Sequence, residues 1–149
     1  MTDDVATRPE ASAGFVEGTE LPVVDTGPLT LPDFVRWAGY QENWIKLHYD
    51  AASADERLGR PGVIQSGHHR TALMTRMVTD WLGPRGWLRR LEVRHTGMVC
   101  VGDAVRCEGR VRQIGRSTQG RTTVEVDLWA IRQDGCRVSE GAAVVEVGA

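Results

Sequence analysis

The clearest hydrophobic pattern in the chain runs from His68 to Leu82, where Leu73, Met74, Met77, Val78, Trp81 and Leu82 recur at helical spacing. One apolar stripe flanked by polar positions predicts an amphipathic helix, and Gly83-Pro84 ends it. Downstream the period shifts toward two. Leu88 to His95 alternates in part, Val105, Cys107, Gly109 and Val111 share a face, and Val124, Val126, Leu128 and Ala130 alternate with Glu125, Asp127 and Trp129. Turn residues at Gly102-Asp103, Gly120 and Asp134-Gly135 separate these runs, and Val138 to Val147 supplies the last strand.

Upstream the pattern is weaker. Residues 1–18 show no period and read as a flexible arm, leaving 19–149 as the folded domain. Leu21 to Val24 suggests a short strand, with Asp25-Thr26-Gly27-Pro28 as a turn. A short helix starts at Thr30 and stops at Gly39; Tyr40 to Asp50 is irregular, and Ala51 to Leu58 is a second short helix before the break at Gly59-Arg60-Pro61-Gly62. Helical segments followed by consecutive antiparallel strands make an α+β fold, a single hotdog domain with a long central helix wrapped by an antiparallel sheet.

Composition narrows the function. The 149 residues suit one domain, and a net charge of -2 gives no basic field for nucleic acid. No apolar run approaches the ~20 residues that cross a bilayer. The opening Met1-Thr2-Asp3-Asp4 is acidic and has no apolar run, so a secretory leader is not expected. Cys100, Cys107 and Cys136 fit no disulfide or finger spacing, so a cytoplasmic location is expected. Neighbouring His68 and His69 point in different directions on a helix, and no metal site or cofactor is expected. Arg85, Arg89 and Arg90 form a cluster suited either to solvent or to phosphates.

Two segments carry the candidate chemistry. Asn43-Trp44-Ile45-Lys46-Leu47-His48, followed by Tyr49-Asp50, resembles the hydratase signature of the MaoC-like, (R)-specific enoyl-thioester hydratase/dehydratase family. Pro61-Gly62-Val63-Ile64-Gln65-Ser66-Gly67-His68 resembles that family's entry into its central helix. Val101-Gly102-Asp103-Ala104-Val105 is a fainter echo. The resemblance implies a catalytic set of His48, Asn43 and Gly67, with Asn43 standing where the family has an aspartate. It further implies substrate contacts from Thr75, Ser66, Trp44 and Tyr40, and an acyl-CoA or acyl-carrier-protein thioester as substrate. A homodimer, or a heterodimer with a related hotdog subunit, is expected on the same ground. An amide can position water but cannot accept its proton at neutral pH. Three readings therefore stay open: an attenuated hydratase, a non-catalytic subunit beside an active one, or a hotdog thioesterase or cyclase.

Overall fold

The computed structural model describes residues 14–58 and 62–148. Strand β1 (Val24–Pro28) is followed by helices α1 (Leu31–Tyr40), α2 (Ala51–Leu58) and α3 (Gly67–Leu82). Four strands complete the chain: β2 (Gly86–His95), β3 (Ala104–Arg116), β4 (Thr122–Arg132) and β5 (Arg137–Val147). Every pairing is antiparallel, in the order β1-β3-β4-β5-β2. The sheet curls around α3, and this is the hotdog fold.

The core forms where the helical stripe meets the period-two faces. Met74, Met77, Val78 and Leu82 are buried against Val105, Val111, Val124, Val126, Leu128 and Val145. Gly109 is part of that fit, since a Cβ there would lie 3.2 Å from Met77 Cε and 3.0 Å from Leu128 Cδ2. A row of small side chains crosses the sheet under the amino half of α3, with Cys107 opposite Ala130 and Ala130 opposite Ser139. The guanidinium of Arg70 reaches that row.

Two expectations need correction. The first strand is Val24–Pro28, so the expected turn is itself strand. Edge position allows this, because Pro28 has no N–H to offer and a register shift falls between Asp25 and Pro28. Within the shift Thr26 Oγ accepts the Val105 N–H at 3.0 Å. Residues 14–18 of the expected flexible arm are docked instead. Phe15 is buried, packs edge-on against Trp81 at 5.2 Å and lies under the Arg85 guanidinium. The Gly18 N–H donates to Val111 O at 2.8 Å. Residues 1–13 and 59–61 lie outside the described part. Helix α1 runs past Gly39 to Tyr40, and the chain then reverses at Glu42, the one non-glycine with positive φ (52°) among the described residues.

Candidate functional site

The segment after α1 places the first candidates. The Asn43 N–H is held by Ala38 O at 2.9 Å, and Asn43 Oδ1 accepts the Ile45 N–H at 3.3 Å. The side chain thus closes a local turn, as short amides do. Its carbonyl is engaged by the protein's own backbone and its NH₂ is left to donate. A single 3₁₀ turn at Lys46–His48 then presents the imidazole. His48 Nδ1 lies 2.9 Å from Ile64 O. A carbonyl only accepts, so Nδ1 carries the proton and Nε2 of the neutral ring is the basic nitrogen. The backbone repeats the link, with Ile64 N–H donating to Leu47 O at 3.0 Å.

Ile64 stands three residues ahead of the helix opening. Gln65 N–H is anchored on Val99 O at 2.7 Å, and Ser66 is the N-cap residue, buried, with no side-chain capping bond. Ser66 O accepts the amides of His69 and Arg70. The Gly67 and His68 amides have no acceptor among the described residues. Open first-turn amides are the positive end of the helix dipole, suited to a developing oxyanion. His48 and Gly67 are therefore brought to the same end of α3.

The other candidates are dispersed. Thr75 Oγ donates to Thr71 O at 2.8 Å, so its hydroxyl proton stays on its own helix. Its side chain lines an open cleft of about 500 Å³ between α1 and α3, with Trp37, Gln41, His68 and Thr71. Tyr40 is 80% exposed and Trp44 60% exposed, so neither is enclosed with His48. Both sit where α1 gives way to irregular backbone, and only Trp37 of this group turns inward, stacking on His69 at 4.7 Å. The arginine cluster is occupied by protein groups: Arg85 holds Leu82 O at 3.0 Å, Arg89 faces Glu146 and Arg90 pairs with Glu92. No trio of His, Cys, Asp or Glu converges as a metal site among the described residues.

Residues 15–131 match the MaoC like domain. The chain belongs to that family. This MaoC-like chain has no similar sequence among curated proteins. Its fold is shared with the (R)-hydratase from A. caviae involved in PHA biosynthesis, at 20% identity and a TM-score of 0.79, covering 92% of this chain and 100% of that one. It is also shared with the ChsH1-ChsH2 complex of Mycobacterium tuberculosis, at 19% identity and TM-score 0.77, covering 89% and 98%. The HadBC (3R-hydroxyacyl-ACP dehydratase) complex of the same organism is similar at 14% identity and TM-score 0.72, covering 90% and 98%. The described residues of the MaoC-like chain include no helix long and apolar enough to cross a membrane.

A second polar group at the amino end of α3 escaped the sequence reading. Arg70 is 4% exposed, donates from Nε to Ser139 Oγ at 3.0 Å, and leaves Nη1 buried without a partner among the described residues. Ser139 Oγ in turn meets His95 Nδ1 at 2.9 Å. The His95 ring lies over Gly67, where an added Cβ would come within 2.7 Å of His95 Cδ2. The ring therefore leaves room for glycine alone at 67. Burial pulls the His95 pKa below its ordinary value, with Arg70 and His68 adding to the effect. Burial likewise lowers Arg70 and pushes the Cys107 thiol up to about 12, the nearby Arg70 charge opposing the latter. The signal for Arg70 was present: it lies four residues before Met74 and seven before Met77, on the inward stripe. His95 and Ser139 are neighbours only through the β2–β5 pairing.

Proposed function

We propose that this chain binds a coenzyme A- or carrier-linked enoyl thioester at the amino end of α3 and catalyses its hydration or the reverse dehydration. One observation carries the reading: an imidazole fixed through Nδ1 on Ile64 O, close to a glycine-opened helix end with free amides. Family membership and the (R)-hydratase fold likeness support it. In the proposed reaction His48 Nε2 takes a proton from water as the oxygen attacks Cβ. The Gly67 N–H holds the thioester oxygen as charge develops there. Asn43 donates to the water through its NH₂. Ser66 and Thr75 border the acyl path, while the exposed Tyr40 and Trp44 meet substrate only at the site's mouth.

The protein is expected to act as a hotdog dimer in the cytoplasm. β2 has one edge paired with β5 and the other without a strand partner among the described residues, which favours strand-to-strand pairing with a second hotdog subunit. Purified protein mixed with crotonyl-CoA tests the reading through loss of enoyl-thioester absorbance. Absence of turnover with crotonyl-CoA and longer enoyl thioesters alike rules it out.

A second reading has its own support. Asn43 Oδ1 accepts the Ile45 N–H, and an amide oxygen takes no proton from water at neutral pH. A non-catalytic subunit completing the pocket of an active partner is consistent with that, and with fold relatives that are themselves two-component complexes. Co-purification with a catalytic hotdog homologue, and activity only in the pair, favours this reading.

A further inference from the structure

Besides adding oxygen at Cβ, hydration delivers a proton to Cα. The oxygen adds at Cβ, but the proton exchanged at Cα lies next to the thioester carbonyl, on the Gly67 side. His95 is the titratable side chain packed directly on Gly67, within 2.8 Å of where a Cβ would stand through its Nε2.

The hydrogen bonds around it define its state. Arg70 can only donate, so Ser139 Oγ accepts from Arg70 Nε. The Ser139 hydroxyl proton goes to Val138 O at 2.8 Å. The remaining lone pair of Ser139 Oγ then accepts the Nδ1–H of His95. That fixes the tautomer and leaves the basic lone pair on Nε2. Thr71 Oγ lies 3.4 Å from Nε2, and that hydroxyl donates to Gly67 O at 3.2 Å. The ring is clamped on one nitrogen and open on the other.

We propose that His95 is the acid/base residue that exchanges the substrate's Cα proton, with Ser139 and Arg70 as its positioning residues. In the dehydration direction the Cα–H bond breaks and its proton passes to His95 Nε2. The electron pair moves into an enolate whose oxygen rests on the Gly67 N–H. The pair then forms the Cα=Cβ bond as the Cβ–O bond breaks, and the leaving oxygen takes a proton from protonated His48 to depart as water. His95 has gained one proton and His48 has lost one, and solvent restores both. Hydration is the reverse. This assignment rests on the thioester reading given above, but it requires only that a thioester bind at Gly67.

Exchange at Cα separates the two. Butyryl-CoA has no double bond to hydrate, so deuterium uptake at its Cα in D₂O, followed by mass spectrometry, reports the Cα base alone. The wild type is expected to exchange above the uncatalysed rate. His95→Gln, with a wild-type melting curve, is expected to lose ~10²-fold or more of that rate. His95→Asn, a second variant with nothing at the Nε2 position, is expected to lose as much. The wild-type rate is expected to rise with pH to a plateau, with a midpoint below the ordinary imidazole value. The charged groups facing the ring from α3 are Arg70 and His68, while β5 presents neutral Ser139; Arg94 of β2 is paired with Glu140 of β5. Wild-type exchange without crotonyl-CoA hydration removes the hydratase reading and leaves His95 standing. Hydration with undiminished exchange in a folded His95 variant, or no wild-type exchange at all, overturns the assignment.

Discussion

At the scale of single residues, the proposed hydration chemistry is tested most directly at position 43. An aspartate there keeps the local turn, because its carboxylate accepts the Ile45 N–H as Asn43 Oδ1 does at 3.3 Å. It also adds a second oxygen able to take a proton. Asn43→Asp is therefore expected to raise kcat for crotonyl-CoA hydration by ~10²-fold or more, at the lower end of the ~10²–10⁴ range that a general base supplies. His48→Gln is expected to lower kcat by ~10²–10⁴ with little change in melting temperature, since the ring is half-buried and makes one bond. A His48→Gln variant with wild-type kcat overturns the role given to that ring.

Arg70 and Ser139 form a contrasting pair. Removing the Ser139 hydroxyl leaves Arg70 Nε buried with no acceptor, beside an Nη1 that already lacks one. Ser139→Ala is expected to cost ~1–3 kcal/mol, read from urea denaturation. Arg70→Met, which removes the desolvated charge and keeps an apolar stem, is expected to be near-neutral or stabilising. Equal losses in both variants contradict this account.

At the scale of elements, α3 joins core and site. Its inward stripe fills the sheet's concave face, and its first turn supplies the open amides. Met74 is fully buried at the centre of that stripe. Met74→Ala is expected to destabilise by ~2–5 kcal/mol in urea titration, through lost burial plus the remaining cavity. The α1–α3 seam is built differently. Trp37 Nε1, Gln41 Oε1 and His69 Nδ1 are buried there without hydrogen-bond partners among the described residues, beside the open cleft.

At the scale of the whole molecule, that seam gives the fold an acid sensitivity. Burial is the main cause lowering the His69 pKa from 6.5, Arg70 adds to it, and Asp33 opposes it. The unfolded chain therefore binds a proton at His69 more readily than the folded chain. Stability is then full above about pH 6.5 and is lost as pH falls through the lowered folded value. His95 acts in the same direction, weakened by solvent exposure. Asp33, partly exposed, and Asp134, exposed, have lowered pKa values and matter only in stronger acid. His69→Phe, which retains the stack on Trp37, is expected to flatten the change in melting temperature between pH 7 and pH 5. An unchanged slope removes His69 as the cause. Sedimentation at the same two pH values tests the expected hotdog dimer.

The sequence by itself determined what repeats along the chain. The helical stripe of α3 and the alternation in β3 and β4 are local periodicities, so the α+β hotdog layout was legible from them. The motif around His48 and the Ser66-Gly67 opening were legible because their spacing is local too. Tertiary structure alone decided the rest. The β1 edge bulge depends on a hydroxyl bonding to a strand 79 residues away. Phe15 is ordered by Trp81 and Arg85, not by its neighbours in sequence. His95 and Ser139 are 44 residues apart and meet because β2 and β5 pair in one register. Periodicity assigns a residue to a face, but which polar atoms share a hydrogen bond across that face is set by strand order and register, and these arise only when the sheet closes around its helix.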